Sequence, residues 1–315
     1  MKRISGLLIA VAVVVLGWSG PASAHDPIAG HDIAYARAAT APVLLVHGYL
    51  TNACPGANVT TQWAAAESAL PGFGYAGPII PIAYYTCDTV GTAGADIRGY
   101  NAYAPASLQT PDNFGVNTPI EDIAFDLAWY IHNHYTLANR AVSLVGHSMG
   151  GLIIRYMLDR VQAGDPNFPS VLYVQDVISI SSPFDGVAAS SIAGVCGSPF
   201  SYQCQEMTTG SAFVTALQAA GTPQGTYGSD WTAIGGSPCD FVPASSALDN
   251  AYAHLVDYYT DYPSCYNHTS YLFDTSIATD EALAYLDPGD IYATYTAAGE
   301  HSLNQIYRAL TSSAW

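Results

Sequence analysis

The sequence predicts an α/β architecture, a mostly parallel sheet with helices on both faces. Three observations carry that expectation. Short continuous apolar runs such as Val43-Leu44-Leu45-Val46 read as strands buried on both faces. These runs alternate with segments of helical periodicity, the mark of parallel strands joined by crossover helices. The turn Gly146-His147-Ser148-Met149-Gly150-Gly151 joins one such run directly to a helical segment. At 315 residues, the length suits one large α/β domain, or two small ones, with ample core. Half the residues are apolar and 12% are aromatic, which marks a packed globular chain rather than a disordered one.

In chain order, Lys2 and Arg3 precede an apolar run from Leu7 to Leu16, and Pro21-Ala22-Ser23-Ala24 comes next. A positive segment, a short apolar segment and an A-x-A site read as a secretory signal peptide over residues 1–24. Residues 25–315 then form the mature domain, expected to be secreted and extracellular. The apolar run is too short for a membrane span, and no later stretch is long enough.

His25 to Thr40 reads as a loose arm. Val43 to Val46 is the first strand and Ile79 to Tyr85 the second. Thr118-Pro119-Ile120-Glu121 places a capping residue before Pro and an acid, a helix start. Ile120, Ile123, Ala124, Leu127 and Ile131 then recur at helical spacing, giving one apolar face. Val142 to Val145 is a strand and Gly151 to Val161 a helix. Tyr173 to Ile180, Trp231 to Ile234 and His254 to Tyr259 complete the strands, the last of these closing the sheet. Between Gly186 and Gly228 lies a Gly/Ser/Gln-rich stretch with one helical piece near Ala212 to Ala219. It reads as a cap or lid segment over the sheet's upper edge, within a single domain.

Charge narrows the function classes. There are 25 acidic side chains against 8 Lys and Arg, a formal charge of −17, and the sole lysine is Lys2. Without a lysine in the mature chain there is no P-loop NTPase, protein kinase or Schiff-base enzyme. So negative a chain is a poor partner for nucleic acid or acidic membranes. There is no Cys-x-x-Cys pair and no His-Glu-x-x-His run, so no zinc site is expected. Structural calcium among the many carboxylates stays open, though without EF-hand spacing, and the chemistry expected below requires no metal or organic cofactor.

The chemistry concentrates at the Gly146 to Gly151 turn. G-x-S-x-G between strand and helix is the nucleophile elbow, where side chains at Gly146 and Gly150 would collide with nearby backbone. The turn exposes the Ser148 hydroxyl at a helix start, whose N–H groups favour developing negative charge. His47-Gly48-Tyr49 ends the first strand, and such a turn can aim the Tyr49 N–H at the nucleophile. With the Met149 N–H it forms the expected oxyanion hole.

At these residues the chain resembles the α/β-hydrolase superfamily, and specifically the secreted bacterial lipases and esterases related to the class 2 lipases. The resemblance runs from about Val43 to Leu286. It rests on Val46-His47-Gly48-Tyr49, Thr118 to Tyr135, the elbow, Ser182-Pro183-Phe184-Asp185-Gly186 and Gln205 to Ser211. It continues through Pro223-Gln224-Gly225, Asp230-Trp231-Thr232 and Cys239-Asp240. Phe184 departs from the pattern, since many relatives carry His after the Pro. The resemblance implies a carboxylic-ester hydrolase, a lipase or esterase acting on acylglycerols or other neutral acyl esters through an acyl-enzyme. With the same triad, phospholipase A1, polyesterase or acyltransferase activity is the alternative; a non-catalytic secreted binding protein is the alternative of another class. A monomer working on an ester or lipid substrate is expected.

The acid must come after Ser148, in a loop beyond a later strand. Asp240 fits and matches the family's acid position, whereas Asp176 lies inside a strand pattern and Asp185 too near the middle strands. Asp249 stays open. Chain order leaves His254, His268 and His301 for the base, and His254 falls within a strand pattern. Cys239 precedes Asp240 directly, and Cys265 lies three residues before His268. A Cys239–Cys265 bond would hold the acid loop against the base loop, which favours His268 and leaves His301 as the alternative base. The segment Tyr271-Leu272-Phe273 and a helix over Ala278 to Leu286 also resemble the stretch after the family's histidine. Cys196 and Cys204 are spaced to staple one short loop of the cap segment, and Cys54 and Cys87 then pair. Exported chains with six cysteines carry such bonds.

Overall fold

The computed structural model describes residues 40–50, 59–100, 114–248, 254–258, 265–273, 283–286, 294–296 and 301–311. All of these lie in one unit, Ala36–Trp315. The expected signal peptide, Cys54 and Asp249 lie outside the described residues.

Among the described residues nine strands make one sheet: β1 (Val43–Val46), β2 (Ile79–Ala83), β3 (Ala95–Asp96), β4 (Val142–His147), β5 (Val174–Ile180), β6 (Asp230–Gly235), β7 (His254–Tyr258), β8 (Leu283–Leu286) and β9 (Thr294–Thr296). Their order is β3-β2-β1-β4-β5-β6-β7-β8-β9. From β3 to β7 every pairing is parallel, and β8 and β9 add on antiparallel. The chain order reverses between β1 and β4. The carboxyl ends of those two strands therefore flank the switch point where open α/β sheets place their ligands.

Alternation along each strand feeds two cores. Leu44, Val46 and Leu144 pack on one face with Ile123 and Leu127 of α2 (Ile120–His134) and Leu152 and Ile153 of α3 (Met149–Gln162). Val43, Leu45, Val145 and Ile178 pack on the other with Trp63 and Leu70 of α1 (Val59–Phe73). Leu303 and Ile306, from the C-terminal helix Ser302–Thr311, join that second core. Each such fully buried aliphatic side chain contributes about 1.5–3 kcal/mol, so burial on both faces holds the sheet to its helices.

Residues 186–228 carry α4 (Ala189–Cys196), α5 (Tyr202–Glu206) and α6 (Ala212–Ala220). Cys196 and Cys204 are bonded, with Cα atoms 6.1 Å apart. A short helix, α7 (Ala244–Ala247), comes after β6, and the C-terminal helix is α8.

Several elements differ from expectation. Helix α2 begins at Ile120 with Pro119 in the capping position and no side-chain cap from Thr118. Thr118 Oγ1 instead accepts the Gly115 N–H at 2.9 Å, and the Ile120 N–H donates to Glu206 Oε2 at 3.0 Å. A remote carboxyl group on α5 has taken over the cap. The helix expected over Ala278 to Leu286 is, across Leu283–Leu286, strand β8. β7 is therefore not the last strand: its edge presents main-chain groups that need partners, and β8 supplies them.

Candidate active site

Ser148 sits between β4 and α3 with φ 56° and ψ −125°. Such positive φ in a non-glycine residue is strained and persists only where the surroundings enforce it. Here they do. The Ser148 N–H donates to Ile180 O of β5 at 2.8 Å, and the Gly151 N–H donates to Ser148 O at 3.1 Å. A Cβ on Gly146 would lie 2.6 Å from Gly151 N, and one on Gly150 would lie 2.2 Å from Val46 O. Only glycine lets β4 turn into α3 this tightly against β1.

Asp240 lies beyond β6 in a turn closed by its own N–H to Ser237 O at 3.0 Å. Its Oδ1 accepts the Val242 N–H at 3.0 Å and the His268 Nδ1–H at 3.0 Å. On the other side of that imidazole, the Ser148 hydroxyl donates to Nε2 at 2.8 Å. The Phe241 ring lies 4.2 Å from the imidazole, centre to centre, and covers one face. Cys239 and Cys265 are bonded, with Cα atoms 5.8 Å apart, so the Asp240 and His268 loops are tied where their side chains meet.

Two contacts around this trio were not anticipated from sequence. Ser181, at the end of β5, donates its hydroxyl to Asp240 Oδ2. His147 donates its Nε2–H to the main-chain oxygen of His268 at 2.7 Å. Burial, and then the neighbouring His268, lower the His147 pKa to about 3, so it is a neutral donor. Neither role shows in the sequence, because both partners lie far along the chain.

The turn after β1 lies against the nucleophile: a Cβ on Gly48 would stand 2.7 Å from Ser148 Cβ. Three groups fix this turn. The Tyr84 hydroxyl donates to His47 O at 2.8 Å and also reaches Gly48 O at 3.0 Å. His47 Nδ1–H donates to Gly48 O at 2.8 Å, its Nε2 pairs with Asp88 at 3.0 Å, and its ring stacks on Tyr84. Asp88 in turn accepts the N–H groups of Tyr84 and Tyr85 at 3.1 and 2.8 Å. Tyr49 comes directly after, and its phenol oxygen accepts the Ser201 hydroxyl, from the segment before α5, at 3.2 Å. Met149 opens α3, where the first N–H groups have no helical partner.

Among the described residues, the other candidate histidines and acids have partners away from Ser148. His301 is buried, its Nδ1 accepting the Asn304 N–H at 3.2 Å to cap α8, and its ring lies against Phe73. The sequence suggests an exposed residue in the first turn of that helix; its ring instead fills the gap between α1 and α8. His254 pairs with Asp230 at 3.0 Å. Asp176 accepts the Ser143 hydroxyl at 2.7 Å inside the sheet. Phe184 is buried under Arg155, whose guanidinium carbon stands 4.9 Å from the ring centre. Among the described residues no group of three or more His, Cys, Asp or Glu can hold a metal ion. No described helix is long and apolar enough to cross a membrane.

Comparison with known proteins adds to this geometry. No curated protein matches the sequence. Among solved structures, the phospholipase PlaB from Legionella pneumophila is 16% identical, with a TM-score of 0.42, covering 67% of this chain and 42% of its own. Lipase B from Aspergillus fumigatus is 17% identical, with a TM-score of 0.40, covering 70% and 43%. The lipase BlEst2 from Bacillus licheniformis, in its propeptide form, is 17% identical, with a TM-score of 0.44, covering 78% and 49%. This chain thus spans less than half the length of each. Residues 118–218, from the approach to α2 through most of α6, match the family model described as "Putative serine esterase (DUF676)". The parallel sheet, the order of its strands and the strand–Ser148–helix turn are those of the α/β-hydrolase fold.

Proposed function

We propose that this protein is a secreted serine hydrolase of carboxylic esters, a lipase or esterase acting on neutral acyl esters. One observation carries the reading: the continuous contact from Ser148 Oγ through His268 to Asp240 Oδ1, at 2.8 and 3.0 Å. It is further supported by the strained Ser148 backbone and the Gly48 turn packed against Ser148 Cβ.

In this mechanism His268 Nε2 takes the Ser148 proton as Oγ attacks the ester carbonyl. Asp240 keeps the proton of the neutral imidazole on Nδ1 and stabilises the imidazolium that forms. The N–H groups of Tyr49 and Met149 receive the developing oxyanion. The imidazolium protonates the leaving alcohol, and an acyl-Ser148 ester remains. Water, deprotonated by the same imidazole, then releases the acid and restores Ser148. No metal or organic cofactor takes part. An uncharged substrate suits a chain with a formal charge of −17, which repels anionic surfaces.

The test is a serine-reactive alkyl phosphonate. The protein is expected to gain one covalent adduct, at Ser148, and to lose ester hydrolysis in step with labelling. Ser148→Ala is expected to take no label. Substantial turnover by a folded Ser148→Ala protein would overturn the reading.

A further inference from the structure

We propose that Ser181 is a positioning residue for the acid–base pair, a hydroxyl that holds Asp240 in register with His268. The inference rests on the triad reading above and adds a fourth side chain to it. Ser181 is fully buried and sits at the carboxyl end of β5, beside the end of β6. Its hydroxyl donates to Asp240 Oδ2, and its oxygen lies 3.1 Å from His268 Nδ1. The two carboxylate oxygens thus have separate duties: Oδ1 takes the imidazole and Oδ2 takes Ser181.

The backbone argues that this placement is imposed. Ser181 has φ 45°, a conformation that disfavours any side chain. Its N–H donates to Ile234 O of β6 at 2.7 Å, which pins the strained residue across the strand pair leading to the Asp240 loop. Strain of this kind clusters at functional sites because the surrounding structure must over-determine it. A glycine would satisfy the backbone alone. The hydroxyl is what a glycine lacks, and it is committed to Asp240.

The consequence for chemistry comes from charge. A donor on Oδ2 disperses the negative charge of Asp240 and fixes the rotation of the carboxylate plane. Without it the carboxylate plane is less firmly fixed, and its undispersed charge holds the imidazolium more tightly. Among the described residues, the other titratable groups around Asp240 are His268, His147 and Tyr271, with Asp257 beyond Tyr271. His147 is held neutral by burial and by His268, and burial foremost keeps the Tyr271 phenol protonated.

The experiment compares Ser181→Ala and Ser181→Gly with the parent protein on a soluble short-chain ester, with phosphonate labelling run in parallel. Both variants are expected to lose roughly ten-fold in kcat with KM nearly unchanged, since a hydrogen bond to a charged group has been removed. The acid limb of the kcat/KM profile is expected to move to higher pH. Ser181→Gly carries the weight if Ser181→Ala folds poorly, because glycine removes the hydroxyl while easing the positive φ. Parent-like kcat and pH profile in Ser181→Gly would overturn the proposal. A parent protein that takes no phosphonate label would instead overturn the triad reading, so the two failures are distinct.

Discussion

His147 and His268 are joined by a 2.7 Å hydrogen bond from the first ring's Nε2–H to the second residue's main-chain oxygen. The residue before the nucleophile therefore supports the loop whose imidazole faces that nucleophile, and it does so as a neutral donor. Burial, with His268 adding to it, holds the His147 pKa at about 3 against an ordinary 6.5. Between those values the unfolded chain binds a proton that the folded chain refuses, so stability falls as pH drops from about 6.5 towards 3. His147→Gln, which keeps a donor but does not titrate, is expected to flatten that fall. Melting temperature measured across this pH range checks it.

His268 and His301 should separate cleanly. His268→Ala removes the group 2.8 Å from Ser148 Oγ and is expected to lower kcat by roughly four orders of magnitude. His301→Ala removes a cap from α8 and the buried ring packed on Phe73. It should therefore cost about 1 kcal/mol for the cap plus the lost packing, and leave the kcat of the folded protein within about two-fold. Steady-state kinetics and denaturant unfolding of both variants decide the matter. An active His268→Ala with an inactive His301→Ala would reverse the assignment.

Gly48→Ala tests the turn after β1. The added Cβ would stand 2.7 Å from Ser148 Cβ, so the turn or the nucleophile must move. Displacing an oxyanion donor costs about 10²–10³-fold in kcat, and a loss of that order is expected with circular dichroism unchanged. Parent-like kcat would detach this turn from the chemistry.

Glu206 makes stability sensitive at the alkaline end. Burial foremost, and then Glu121 beside it, raise its pKa from 4.5 to about 9. A carboxyl that stays protonated in the fold but ionises in the unfolded chain loses the fold stability as pH rises from about 4.5 to 9. Glu206→Gln keeps an acceptor for the Ile120 N–H without the charge. It should raise the melting temperature at pH 9 and change it little at pH 4. Equal shifts at both would mean that Glu206 acts by packing alone.

What the sequence discloses depends on the range of the interaction. The elbow is legible because Gly146 and Gly150 meet backbone within a few residues or on the adjacent strand, and tight turns leave a fixed spacing. The strands are legible because burial on both faces demands continuous apolar runs. Helix α1 is not, since its inward face is only Val59, Trp63, Ala66 and Leu70 and Ala64 and Ala65 blur the periodicity. Nor is the α2 cap, because Glu206 arrives 86 residues later to displace Thr118. Ser181 belongs to the same class: its hydroxyl matters only beside Asp240, 59 residues on. β8 reads as helical in sequence yet forms a strand, because pairing with an open edge outweighs local preference over a short segment.

The spacing between Ser148 and His268, 120 residues, has a consequence for the life of the chain before it is folded. During synthesis the serine emerges long before the histidine and aspartate that would arm it, and the Cys239–Cys265 bond that ties their loops together closes only under oxidising conditions. On the proposed mechanism, a nascent chain therefore carries Ser148 without its base and acid. By that mechanism, ester cleavage at Ser148 waits until the later segments of the chain have folded against it.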